Sequence, residues 1–90
     1  MNKAIITVVG QDTVGIIARV CTYLSGHKVN VLDISQTIID GFFNMMMIVD
    51  YSKSDVEFGA MVEALDELGE DIGVRIRCQR EEIFTKMHRV

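Results

Sequence analysis

The sequence predicts an α+β domain of βαββαβ order, with a four-stranded antiparallel sheet carrying two helices on one face. Three observations carry that prediction. Residues 14–25 and 54–68 repeat apolar side chains at helical spacing, whereas residues 3–9, 30–39, 42–51 and 74–79 are short and apolar or alternating. Asp40-Gly41 lies between the second and third of those short segments as a hairpin turn. Right-handed crossovers then place both helices on the same side of the sheet, the ferredoxin-like, split-βαβ arrangement.

Each element has its own warrant. Residues 3–9 (Lys3 to Val9) read as a strand apolar on both faces. In residues 14–25, Ile17, Val20, Cys21 and Leu24 fall at i, i+3, i+4 and i+7, with Asp12 or Thr13 as the expected N-cap and Gly26 as the stop. The second strand, residues 30–39, sets Leu32, Ile34 and Ile38 on one face against Asp33, Ser35 and Thr37 on the other. The third is very apolar, and alternation separates Met45 and Met47 from Met46, so core and interface packing is favoured over soft-metal binding.

Ser54-Asp55-Val56-Glu57 reads as a capping box for a second helix, striped by Phe58, Met61, Val62, Leu65 and Leu68 and ended within residues 69–73. Val74, Ile76 and Cys78 then alternate with Arg75, Arg77 and Gln79 in a half-exposed fourth strand. The domain is expected to occupy residues 1–80. Residues 81–90 form a C-terminal tail in which Ile83, Phe84 and Met87 offer one small apolar face.

In such a sheet the first and third strands are central and the second and fourth are edges. The face away from the helices would then expose Ile5, Val9, Phe42, Met46 and Ile48, or their alternates. A contiguous apolar patch of that size is rarely left in water. A homodimer is therefore expected, with the tail as a contributor.

Composition narrows the function. Ninety residues make one domain, and the net charge of −4 with mixed signs argues against a nucleic-acid partner. The apolar run after Met1-Asn2-Lys3 is too short for a secretory leader, and no stretch is long enough to span a membrane, so a soluble, cytoplasmic protein is expected. Cys21 and Cys78 fall at core positions with no Cys or His at ligand spacing, so neither a disulfide nor a metal site is expected.

Catalysis is not expected either, and no cofactor is implied: no nucleophile–base pair, carboxylate dyad or metal-ligand spacing is present. An acylphosphatase, which shares the element order, needs an arginine in the first loop, and residues 10–15 contain no basic residue. An RNA-recognition motif is disfavoured by the missing RNP1 pattern and the acidic balance.

The stretch Gly10-Gln11-Asp12-Thr13-Val14-Gly15-Ile16, followed by Asn30-Val31 at the start of the second strand, is the candidate ligand site. A glycine-bearing loop at a helix N-terminus lets a small anion approach backbone N–H groups. A carboxamide can read both halves of an amino acid head. Each residue also has an ordinary role. Gly15 is equally explained by close helix packing, Asp12 by capping, and Asn30 by a tight connection after Gly26-His27-Lys28. His27 has no acid near it in sequence and reads as a solvated helix-end residue, and His88 as a surface residue. Arg75, Arg77 and Arg80 read as a solvated basic stripe that discourages edge pairing.

With Gly-x-Asp-x-x-Gly-Ile, an apolar helix, Val-Asn-Val and an apolar remainder, residues 3–80 resemble an ACT domain. The chain is most similar to small stand-alone modules of the glycine-cleavage regulator type. The resemblance implies a regulatory module that binds an amino acid at a subunit interface, the first loop of one subunit meeting the second-strand start of the other. It implies that Asp12 holds the ligand amine, that N–H groups near Val14, Gly15 and Ile16 hold the carboxylate, and that Asn30 contacts the ligand. Gly10 stands where some members carry histidine, and Val14 replaces a common proline. These departures leave open a second reading, a ligand-free assembly subunit with a protein partner.

Overall fold

The computed structural model describes residues 2–11 and 13–81. Strand β1 (Lys3–Gln11) is followed by α1 (Ile16–Gly26), β2 (Asn30–Ile39), β3 (Phe42–Asp50), α2 (Phe58–Ile72) and β4 (Val74–Arg80). The sheet order is β2-β3-β1-β4 with every pairing antiparallel, so β1 and β3 are central and β2 and β4 are edges. This is the βαββαβ, ferredoxin-like architecture expected from the sequence. Beyond Glu81 the expected tail lies outside the described residues.

Cross-strand partners in an antiparallel pair share a face, so the register sorts the sheet. Ala4, Ile6 and Val8 align with Val49, Met47 and Met45 and with Cys78 and Ile76. That row packs against Ile16, Val20 and Leu24 of α1 and Met61 and Leu65 of α2 to form one core. Met46 points the other way, with Thr7 and Ser35 as its partners. The open face exposes Val9, Phe42 and Met46, as expected, but Ile5 is only 6% exposed and Ile48 is half-buried.

Glycines set the close approaches. A Cβ on Gly69 would lie 2.7 Å from the Val74 carbonyl oxygen, so α2 touches β4 backbone there. Gly69 is thus inside the helix, and termination falls to Gly73 at φ 90°, whose N–H donates to the Gly69 carbonyl at 2.8 Å. Asp40 and Gly41, both at positive φ, make the expected hairpin turn between β2 and β3.

Several expected details give way. Ser54 does not cap α2: its hydroxyl donates to the Val56 carbonyl and accepts from the Val56 N–H, and the helix starts after Glu57. The local turn offered by Ser54 outcompetes the reciprocal box. Cys78 is buried as expected, whereas Cys21 is only half-buried. Burial pushes the Cys78 thiol up to about 12. The arginine stripe is split: Arg75 and Arg77 lie level with the open-face residues Val9 and Thr7, while Arg80 stacks over Phe58 at 4.5 Å.

Candidate ligand site

The first expected site segment is not wholly a loop. Gly10 and Gln11 extend β1, pairing with Phe43 and Phe42, and Gly10 also pairs with Val74. A Cβ on Gly10 would sit 2.8 Å from Val74 Cγ1, so this position is glycine for packing and carries no side chain toward a ligand. The connection proper contains Thr13, Val14 and Gly15, with Asp12 outside the described residues.

The expected Asp12 or Thr13 cap is replaced by Gly15. It occupies the N-cap of α1 at φ 89°, with no side-chain cap hydrogen bond, and the Thr13 hydroxyl instead donates to the Gln11 carbonyl at 3.4 Å. A Cβ on Gly15 would meet nothing within 4 Å, so close helix packing is not its reason; the left-handed backbone is. The first intrahelical bond runs from the Arg19 N–H to the Gly15 carbonyl at 2.9 Å. The N–H groups of Ile16, Ile17 and Ala18 therefore have no acceptor within the helix. They point toward the helix's N-terminal end, where the partial positive charge of the dipole gathers.

Beside them runs a groove of about 480 Å³ between α1 and the outer part of β2, lined by Thr13, Gly15, Ile16, Ile17, Ala18, Gln36, Ile38 and Phe43. Its volume falls within the roughly 300–1,000 Å³ range of small-molecule sites. Gln36 is the residue that sequence reasoning missed. It aligns with Met45, as Ile34 aligns with Met47 and Ile38 with Phe43, and so interrupts an apolar row on the helix-facing side. The signal was legible as one polar residue in phase with Ile34 and Ile38.

Asn30 and Val31 lie elsewhere. Asn30 pairs with Asp50, which also pairs with Lys3, whereas the loop rises from the opposite end of β1. The seven residue-to-residue steps from Lys3 to Gly10 span roughly 24 Å at strand rise. The two halves of the expected site are thus not brought together within one chain. Next to Asn30, the Asp50 carboxyl is held below the usual range, chiefly by the Ser52 backbone N–H donating at 3.0 Å and then by the Ser52 hydroxyl.

His27 has an acid partner that its sequence neighbours do not show. Its Nδ1 lies 2.8 Å from Asp55 Oδ1, and its ring lies 4.6 Å from that of Tyr23. The acid comes from the β3–α2 connection, 28 positions away. Burial, then the Asp55 carboxylate, raises the Tyr23 phenol. This cluster joins two connections at the Asn30 end of the molecule and is remote from the groove. Among the described residues no group of acidic, His or Cys side chains is arranged to hold a metal ion, and no helix is long and apolar enough to cross a membrane.

A family model described as "ACT domain" matches residues 2–79. A UPF0237 protein from Bifidobacterium longum is 84% identical over 90 residues, covering all of both chains. Another from Methanocaldococcus jannaschii is 42% identical, again over the full length of both. Among solved structures, an ACT domain protein from Streptococcus pneumoniae superposes with a TM-score of 0.81 at 38% identity, covering 92% of this chain and 93% of that one. A proposed glycine cleavage system transcriptional repressor shares the fold, with a TM-score of 0.72 at 23% identity over 88% of this chain and 45% of its own.

Proposed function

The chain belongs to the ACT domain family, and on that premise we propose that it is a regulatory, non-catalytic module that binds an amino acid between two copies of itself. Its carrying observation is the separation of the loop from Asn30 across the sheet. A ligand that touches both must lie between chains.

The edge of the sheet offers a way to build that site. β2 is ten residues long, and every residue but the half-buried Val31 is exposed; Leu32, Ile34, Ile38 and Ile39 stand out as apolar. Such an edge is a template for another strand. Antiparallel pairing of β2 with its counterpart, about a two-fold axis perpendicular to the sheet, sets Asn30 of one copy level with the Ile38–Ile39 end of the other. That is the end at which Val14 (fully exposed), Phe42 and the groove also lie. The ligand carboxylate would take the N–H groups of Ile16, Ile17 and Ala18, and the ammonium group would meet Asp12 and the Asn30 carboxamide.

Thermal denaturation against the proteinogenic amino acids tests this. Ligand at about 100 times its dissociation constant adds about 2.7 kcal/mol, which raises Tm by roughly 10 °C or more in a domain this small. A selective rise that is lost in Asn30→Ala is expected. No rise with any amino acid at millimolar concentration would defeat the reading.

One observation favours a second reading, assembly without ligand. Gly10, the position at which the resemblance sets a histidine in some ligand-binding members of the family, is closed off by Val74. A flat thermal panel together with capture of a defined protein partner would select that reading.

A further inference from the structure

We propose that Gln36 sets the specificity of the groove, selecting amino acids with a short hydroxyl- or carboxamide-bearing side chain over their aliphatic isosteres. The inference rests on the ligand-binding reading above and goes beyond it in naming the ligand class. It follows from the composition of the groove wall. Ile16, Ile17, Ala18, Ile38 and Phe43 supply only apolar side chains, and Gly15 supplies none. The Thr13 hydroxyl is turned onto the Gln11 carbonyl. Among the described wall residues, Gln36 offers the fullest side-chain hydrogen-bonding group, two N–H donors and one carbonyl acceptor, where the Thr13 hydroxyl keeps only its acceptor lone pairs.

Its place in the row is what makes it selective. The flanking residues of the same face are Ile34 and Ile38, and its cross-strand neighbour is Met45. A ligand side chain running from the N-terminus of α1 along Ile38 reaches Gln36 after an apolar stretch. An aliphatic side chain ending there would cover the carboxamide without replacing its hydrogen bonds to water. A hydroxyl or amide would replace them. Sites that hydrogen-bond a ligand group reject the analogue lacking it far more strongly than apolar pockets reject an added hydroxyl.

The test compares isosteric pairs, L-threonine against L-valine and L-asparagine against L-leucine, by concentration-dependent thermal stabilisation of the wild-type chain and of Gln36→Leu. The position is exposed in the single chain, so the substitution leaves the fold in place, and the ratio within a pair, each member read against the variant's own unliganded Tm, is its own control. In the wild type, the polar member of at least one pair is expected to act at a concentration about tenfold lower or better. In Gln36→Leu that ratio should fall toward one or invert. Equal action of both members in the wild type, or a ratio unchanged by the substitution, overturns the role of Gln36 while the sensor reading stands. No stabilisation by any amino acid overturns both.

Discussion

The two edge strands of this sheet are built to opposite specifications. β4 has seven residues, its inner row of Val74, Ile76 and Cys78 is buried under α2, and its open-face row carries Arg75 and Arg77. β2 has ten residues, lies almost wholly in solvent, and bears Ile34, Ile38 and Ile39 with Asp33 as its one charge. A short edge bearing charges resists further pairing, whereas a long, apolar edge invites it. The contrast separates an edge that is closed to further pairing from one that is left open to it.

The largest expected effect lies on β2. Ile34→Lys places a cation in the middle of the apolar edge and should weaken self-association at least 100-fold, read by sedimentation velocity, while leaving the isolated fold intact. A lysine that left the mass unchanged would break the contrast. On the β4 side the sensitive quantity is stability. Gly69→Ala pushes a methyl group against the Val74 carbonyl oxygen, and a backbone atom cannot swing away. A loss of about 1–3 kcal/mol in denaturant unfolding is expected, with no change in association.

Cys78 sharpens the comparison through pH. Its folded pKa, about 12, lies above the ordinary value of 9.0. The neutral thiol is favoured in the fold, so its contribution is complete below pH 9 and declines as pH rises from 9 toward 12. Alkylation at pH 8 should accordingly be slow in the native protein and fast once urea unfolds it. The smallest effect belongs to Arg77→Gln, an exposed position on the finished edge. It should change stability by less than about 0.5 kcal/mol and leave the mass alone.

Local pattern made much of this fold legible. The alternation of Met45, Met46 and Met47, the stripe from Phe58 to Leu68, the Asp40-Gly41 turn and the rows of β4 each depend on a repeat that sequence displays directly. What resisted reading was competition between local options and contact at a distance. Ser54 prefers its own turn to a cap, and Gly15 caps α1 through its backbone rather than a side chain. β1 runs on to Gln11 because Phe42 and Phe43 pair with it, a fact held in another strand. A register shift between Val31 and Asp33 resets β2, yet Gln36 keeps phase with Ile34 and Ile38. For the candidate site, the sequence named the loop and Asn30 and, through the resemblance, their sharing between subunits; it did not show the distance between them along β1 or the place of Gln36 in the groove wall.

That separation gives the most direct test. Asn30→Ala removes one half of the shared site, and Gly15→Leu, at a left-handed position with open space around it, damages the other. Each variant alone should bind none of the amino acid that stabilises the wild type. In an equimolar mixture allowed to exchange subunits, half the dimers are mixed, and each mixed dimer holds one intact site. Titration calorimetry should then recover roughly a quarter of the wild-type sites at wild-type affinity. No recovery on mixing, with both variants folded and dimeric, would place the whole site within one chain and contradict the account.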